Sequence, residues 1–486
     1  MTINVRGTAY PLRWLALAVV LVAECMDLLD STVVNVAAPQ IARDFHASST
    51  SLQWIVGGYP LAIAVGLILG GRLGDLVGRR RMFLIGAAGF VLASLLCGLS
   101  PDVATLVTAR LVQGSLAAML LPQGFGIIRE CFEEKEQAKA FAVFGPVIGL
   151  SAVVGPILGG ALTDWNLFGS AWRLCFFVNV PLGIAAIVLG RKALPPSEVH
   201  PEVRLDLTGT VLVGLFAILL VYPLIQGREA GWPWWTFASM AAGVAVLALF
   251  ALQQVSRDRR GADPLVTPSL FRKRGYVTGL SFVALFFSGL TGLLLCITLF
   301  LQIGQRFTPI HAALCLVPMT LGMTVGAGLS GALLGPRFGR STLQAGVLVS
   351  GAGYGLLVLA LSRHGTVGAA DLAPGLLVVG FGVGLVVAPM FDIVLASVDD
   401  YETGSASGVL NAGQNLAASI GVAVLGTVFF DNIGGGDFHT ALNRVLVAQL
   451  ILVAAMLVVS PMLPRRAREE AEEPAVPDGE PAPVGG

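Results

Sequence analysis

Stretches of about 20 mostly apolar residues recur from one end of this chain to the other, each long enough to cross the roughly 30 Å hydrocarbon core of a bilayer as a single helix. About fourteen can be counted, centred near Ala23, Ala62, Val91, Leu116, Val153, Pro181, Leu215, Val244, Gly289, Met319, Gly351, Gly382, Ala417 and Val453. Apolar residues make up 55% of the chain and charged residues only 12%, too little polar surface for a soluble fold of this size. The expected fold class is therefore all-α, a polytopic membrane protein. The first stretch, from about Leu12 to Pro39, is too long for the apolar region of a signal peptide and carries three acids, so it reads as a retained transmembrane helix.

The sparse charges then mark topology. Arg72, Arg79, Arg80, Arg81, Arg129, Lys135, Lys139, Arg191, Lys192, Arg204, Arg257, Arg259, Arg260, Arg272, Lys273, Arg274, Arg337 and Arg340 follow even-numbered stretches. Arg6, Arg13, Arg465, Arg466 and Arg468 lie in the two tails. The other face keeps chiefly Arg43, Arg228, Arg306 and Arg363. The positive-inside rule places both termini in the cytoplasm and the chain in the cell membrane. A formal net charge of zero gives no reason to expect a nucleic-acid partner. The connections Arg191 to Arg204 and Arg257 to Arg274 divide the chain into a six-helix bundle (1–195), an inserted two-helix segment (196–274) and a second six-helix bundle (275–463), with a disordered cytoplasmic tail at 464–486. An internal repeat agrees: "GRLGDLVGRR" after the second stretch returns as "LLGPRFGR" after the tenth, with Gly339 and Arg340 matching Gly78 and Arg79 and Pro336 standing where Asp75 does. Repeated halves with a site between them are how many secondary transporters are built.

The first stretch reads "ECMDLLDSTVVNVAAP". At about 100° per residue, Glu24, Asp27 and Asp30 fall within an arc of roughly 120°, on one helix face. A carboxylate at membrane depth is costly, faces a cavity or a partner, and marks ion or proton pathways. Burial beside like charges favours the neutral form, so such an acid can pick up and release protons. The plainer alternative is that one or two of the three merely hydrogen-bond neighbouring helices, with Asp30, followed by Ser31 and Thr32, engaged in local backbone bonding. Arg110 and Gln113 in "ARLVQG" share a face of the fourth stretch, and an arginine in apolar surroundings needs carboxylate or carbonyl partners, here the first-helix acids. A switching pair and a static one look alike at this level.

Gly71, Gly74, Asp75, Gly78, Arg79 and Arg80 allow close helix approach and a tight turn, with Asp75 free to bond helix ends or bases across the half-interface as a gate latch. The bland reading, a basic stop signal, explains Arg79, Arg80 and Arg81 but not the placed glycines. In "GPVIGLSAVVGPILGG" Ser151, Gly155 and Gly159 form a ladder of small residues, and Pro146 and Pro156 permit bending. Tight packing alone could also account for it. The six cysteines show no metal-ligand or CxxC spacing, and the five histidines (His46, His200, His311, His364, His439) are scattered in or beside loops, so neither an enzyme nor a metal site is expected.

These motifs together resemble the fourteen-helix drug:proton antiporter branch of the major facilitator superfamily. "LDSTVVNVAAP" is similar to the first-helix motif of that branch, "GRLGDLVGRR" to the superfamily loop motif, "RLVQG" to the fourth-helix motif and "GPILGG" to the antiporter motif. "WRLCFFVNVPLG" resembles the opening of its sixth helix and "GSASGVLNAGQNLAASIG" its thirteenth-helix pattern. Ser151 replaces a usual glycine, and Gln414 stands where an arginine is common. The resemblance implies two six-helix bundles rocking about a central cavity lined by helices one, four, nine and twelve. It makes Asp30 the first-helix acid and Arg110 the motif arginine, with Glu24 and Asp27 as extras. Tyr59, Gln113, Asn411 and Gln414 are candidate substrate-facing groups, Asp392 a cation-attracting group at the cytoplasmic mouth unless it serves capping or topology, and Gly155, Pro156, Gly159 and Gly160 motif positions.

The expected function is proton-coupled export of small hydrophobic or cationic compounds, including drugs and antibiotics. Expected partners are the small-molecule substrate, protons and the bilayer. A monomer is the expected working unit, and no cofactor is expected because the proton gradient drives the cycle. A proton-coupled importer or facilitator on the same fold is the main alternative, since fold does not dictate direction. A non-transporting receptor is a poorer one, because no loop is long enough for a signalling domain.

Overall fold

The computed structural model describes residues 10–465 apart from 134–135, 138, 141–142, 167–168, 198, 200–204, 364–366, 400–401 and 434–435, and omits the side chains at 144–146, 148–149, 152 and 363. The expected tail from residue 466 onward, Arg6, Lys135, Arg204, His200 and His364, and the side chains of Pro146 and Arg363, lie outside the described residues.

The described chain is helical, with no strand. In order the long helices are α1 (Arg13–Phe45), α2 (Ser49–Val77), α3 (Arg79–Gly98), α4 (Val103–Cys131), α5 (Phe144–Trp165), α6 (Ala171–Ala193), α7 (Leu207–Gln226), α8 (Trp234–Arg259), α9 (Arg274–Leu299), α10 (Pro309–Leu329), α11 (Arg340–Arg363), α12 (Ala369–Leu395), α13 (Thr403–Asp431) and α14 (Phe438–Val459). Twelve helical segments among the described residues are long and apolar enough to cross a membrane. α1 and α5 are not among them: α1 has the length, at 33 residues, but carries Glu24, Asp27, Asp30 and Asn35 in its middle.

Helix boundaries follow from local chemistry. Asp102, Asp206 and Asp437 cap α4, α7 and α14 by accepting from the amides of Thr105, Gly209 and Thr440. One residue, Gly78 at φ 100°, separates α2 from α3, and Gly339 at φ 52° turns the chain into α11. Both corners need the left-handed region that glycine enters without a Cβ penalty, so the worn repeat is a repeated corner.

Contacts at the helix ends define two ends of the molecule. At the α1–α2 end, Trp172 Nε1 donates to Asp44 (2.8 Å), Arg173 Nη1 to the carbonyls of Gly98 and Ser100 (2.8 Å each), and Arg228 pairs with Asp431 (3.5 Å). At the α2–α3 end, Arg13 pairs with Glu136 (2.9 Å), Arg79 with Glu130 (3.3 Å), and Arg340 Nη1 donates to the carbonyl of Leu463 (2.9 Å).

α2 packs closely on α4 and α10 on α12 because glycines stand at the crossings. A Cβ at Gly70 would collide with the Ala118 carbonyl, and one at Gly380 with the Met319 carbonyl. α2 also lies along α13, α5 along α10 and α1 against α9, while α7 sits against α2 and α13, with α8 outside it. Leu92, Val211, Leu252 and Ile451 point outward and are well exposed, a surface suited to lipid rather than water.

Candidate functional site

Three helices meet at one carboxylate, and two more join through its partners. Asp30 on α1 accepts from Arg110 Nη1 on α4 at one oxygen, and from Gln113 Nε2 (2.8 Å) and Asn179 Nδ2 (2.7 Å) at the other. Side-chain exposure is 0% for Asp30 and 1% for Arg110. Two buried charges pay for desolvation only if their remaining sites are bonded. Here they are: Arg110 Nε donates to the Ile55 carbonyl (3.3 Å), Nη1 also to Gln113 Oε1 (2.8 Å), and the guanidinium lies 4.2 Å from the Tyr59 ring centroid. Asn179 on α6 donates further to Ser94 Oγ on α3 (3.0 Å), which donates to the Phe176 carbonyl (2.9 Å).

The other two acids differ. Asp27, one turn closer to the α2–α3 end, is half-buried and accepts from the Tyr59 hydroxyl. Glu24, a further turn along, is half-buried, and no hydrogen bond or ion pair engages its carboxylate among the described residues. The three acids thus form a gradient from fully saturated to unengaged along roughly 9 Å of helix.

The structure relocates several residues. Tyr59 and Gln113, read from the sequence as substrate-facing, are buried, because each satisfies a charge in the α1–α4 network. Asn411 is half-buried and bonds the Ser407 carbonyl of its own helix (3.0 Å). Gln414 is half-buried, with a carbonyl oxygen that has no hydrogen-bond partner. Asp392 is exposed near the end of α12, where its backbone carbonyl accepts from the Ala396 amide. None of these last three bonds the α1 acids among the described residues.

Asp75, read as free to bond helix ends or bases across the half-interface, pairs with Arg79 across the Gly78 corner (3.1 Å), and Arg79 goes on to Glu130 on α4. The corner at Gly78 sets the first residue of α3 beside the last turn of α2, which makes that partner the nearest one. A Cβ at Gly74 would collide with the Gln123 side chain, Gly71 sits beside Pro122, and the Arg80 amide bonds Ser197 Oγ (2.7 Å). Ladder glycines on α5 serve two neighbours. Gly155 faces Thr32, Gly159 faces Val33, and a Cβ at Gly160 would come within 2.8 Å of the Ile310 backbone on α10; Pro156 is buried beside them.

The α1–α2 end is closed by bonds between the first and last six helices. Gln53 Nε2 on α2 donates to the carbonyls of Val422 (3.2 Å) and Ala423 (2.9 Å) on α13. Just past α9, Gln302 Nε2 donates to the Val36 carbonyl on α1 (2.7 Å), and the Ile310 amide donates to Asp164 (3.1 Å). The carbonyl oxygens of Gln53 and Gln302 have no partner. Asn179, Ser94, Gln53 and Gln302 were all missed in sequence reading. Asn179 could have been found as the one strongly polar group in "CFFVNVPLG"; the others look like ordinary polar residues in helices.

A family model described as "Major Facilitator Superfamily" matches residues 20–422. The chain belongs to that superfamily. Among curated relatives, it is 47% identical to a "Probable actinorhodin transporter" of Streptomyces coelicolor, over 87% of this chain and 74% of that protein. It is 39% identical to the "Puromycin resistance protein pur8" of Streptomyces alboniger, over 86% of this chain and 82% of that protein. Identity to the "Multidrug efflux pump LfrA" of Mycolicibacterium smegmatis is 33%, over 87% and 82%. Among solved structures, an auto-inhibited POT family peptide transporter aligns at a TM-score of 0.68 over 95% of this chain and 99% of that chain, at 13% identity. At that identity it carries the superfamily fold alone. This superfamily member is thus a multi-pass membrane transporter of small molecules.

Proposed function

We propose that this transporter is a proton-driven antiporter exporting drug-like compounds, apolar or cationic, and that Asp27 and Glu24 carry the exchanged proton. The observation that carries the reading is the gradient along α1. Asp30 is held by three side chains and completes a static charge, whereas Glu24 stands half-buried with no described partner and Asp27 is held by one hydroxyl. An acid that exchanges protons needs a site that favours neither form strongly and a route to water. Relatives named as antibiotic and multidrug transporters support the export assignment.

The finer assignment follows the same line: fourteen crossings, α1 and α5 included, of the drug:proton antiporter branch. Six-helix bundles cover 1–195 and 275–463, the pair α7 and α8 lies within 196–274, and a cytoplasmic tail occupies 464–486. The basic residues crowd the α2–α3 end, so by the positive-inside rule that end and both termini are cytoplasmic. Bonds from Gln53, Gln302 and Ile310 then close the outer end, leaving Glu24 and Asp27 on the side from which substrate is loaded. One charge moving through 100 mV supplies about 2.3 kcal/mol, worth nearly two decades of substrate gradient. One or two titrating acids suffice.

The test uses purified protein in proteoliposomes with a pH dye inside and ethidium or puromycin as substrate. Substrate addition should move protons the opposite way across the membrane, and an imposed gradient should drive substrate accumulation only in the exporting direction. Substrate movement without proton flux removes the coupling. Accumulation in the importing direction removes the assignment of direction.

A further inference from the structure

The transport reading leaves unused a cleft of about 590 Å³ at the α1–α2 end, lined among others by Arg43, Gln302, Arg306 and Phe438. Arg43 lies on α1 and Arg306 just past α9, so arginines from opposite halves line one cleft. Neither is in an ion pair among the described residues. Arg43 Nε reaches only the Pro39 carbonyl of its own helix, at 3.4 Å. Nearby acids are committed elsewhere: Asp44 accepts from Trp172 Nε1 (2.8 Å) and Gln40 Nε2 (3.0 Å), Asp164 from the Ile310 amide and Asp437 from the Thr440 amide.

Two further observations point to a ligand. Gln302 is 2% exposed, lines the cleft and keeps an unpartnered carbonyl oxygen, an acceptor whose burial costs about 1–3 kcal/mol when unmet. Arg306 sits at φ 56°, after a widened helical turn at Phe300–Gly304, held there by backbone bonds from Gln305 to Phe300 (2.9 Å) and from Phe307 to Leu301 (3.0 Å). Left-handed backbone at a non-glycine residue persists only where its surroundings enforce it, and such residues gather at ligand clamps.

We propose that this cleft binds an oxyanion of the phosphate class bearing an O–H, bridging Arg43 and Arg306 and holding this end shut. Like charges brought together across the seam repel, and an anion between them turns that repulsion into two charge-assisted forks. The ligand hydroxyl donates to Gln302 Oε1, which already ties α9 to α1 through its amide nitrogen. The same chemistry comes from free phosphate or from the head group of phosphatidylglycerol.

The test uses the full chain in phosphatidylcholine nanodiscs, with spin labels on the α1–α2 turn and the α13–α14 connection. Inorganic phosphate is titrated against chloride at constant ionic strength, and a second arm replaces part of the lipid with phosphatidylglycerol. Phosphate or the anionic lipid should shift the label distances toward the closed population and raise the thermal midpoint, and the responding arm identifies the source. R43Q/R306Q should weaken the response by roughly tenfold, as expected for losing charge-assisted bonds, and Q302A by less. R43Q alone, a change at an exposed position, repeats the test if the double variant folds poorly. No response beyond chloride in either arm overturns the proposal. So does an undiminished response in the arginine variants, the signature of an adventitious ion only.

Discussion

Asp30 on α1 and Arg110 on α4 pair with neither side chain open to solvent, and each is the only charge the other bonds among the described residues. Such a pair punishes removal of one partner more than removal of both. Arg110→Ala or Asp30→Asn alone should cost about 3–5 kcal/mol of stability. D30N/R110Q should recover much of that while still failing to transport. Thermal unfolding of the purified variants, set against efflux, separates the two effects; equal losses for the single and double variants would sink the idea of a balanced pair.

Glu24→Gln with Asp27→Asn should abolish gradient-dependent efflux while leaving the thermal midpoint within a few degrees of wild type, because neither acid completes a buried charge. Tyr59→Phe keeps the ring over Arg110 and removes only the hydroxyl that Asp27 accepts, so it should slow efflux roughly tenfold, about the value of one hydrogen bond to a charged group. Efflux of a fluorescent substrate from energised cells measures both. Full efflux in E24Q/D27N would remove these residues from the coupling.

At the α2–α3 end, Lys273 and Ser269 bond Glu402 ahead of α13 and tie down the connection between α8 and α9. Burial pushes the Glu402 carboxyl up, but the hydrogen bonds from Lys273 and Ser269 outweigh it and hold the carboxyl below its ordinary value. A depressed carboxyl stabilises the fold above its unfolded pKa, near 4.3, and that contribution is lost as pH falls through the lower folded value. Limited proteolysis within 260–273 should therefore be slow at pH 7 and accelerate as pH falls below about 4. E402Q should be cut quickly at both.

Gly160→Val places new side-chain atoms against the Ile310 backbone, where nothing can swing aside. Overpacking of this kind costs about 1–3 kcal/mol. It should spread α5 from α10 and break the bond from the Ile310 amide to Asp164. Cysteines placed across those two helix ends should cross-link more slowly in the variant than in wild type.

Much of this was legible because membrane burial makes charge conspicuous. Asp30 and Arg110 stand out in apolar runs, and their pairing follows from the cost of leaving either alone. The helix pattern was equally plain, except that the acids that make α1 interesting also lower its hydropathy. Gln53 and Gln302 were invisible for the opposite reason: a neutral amide whose partner is a backbone carbonyl leaves no complementary residue in the sequence. Asp75 stayed ambiguous because an aspartate beside several arginines fits a local partner and a distant one equally well until the corner is seen.

The corners at Gly78 and Gly339 leave no slack. With a single residue of backbone between α2 and α3, neither helix can tilt far without dragging the other, so a push delivered on one travels into its neighbour instead of being absorbed by a loop. Each half behaves as a lever with a stiff elbow, and a movement begun on one helix can displace surfaces far from where it starts.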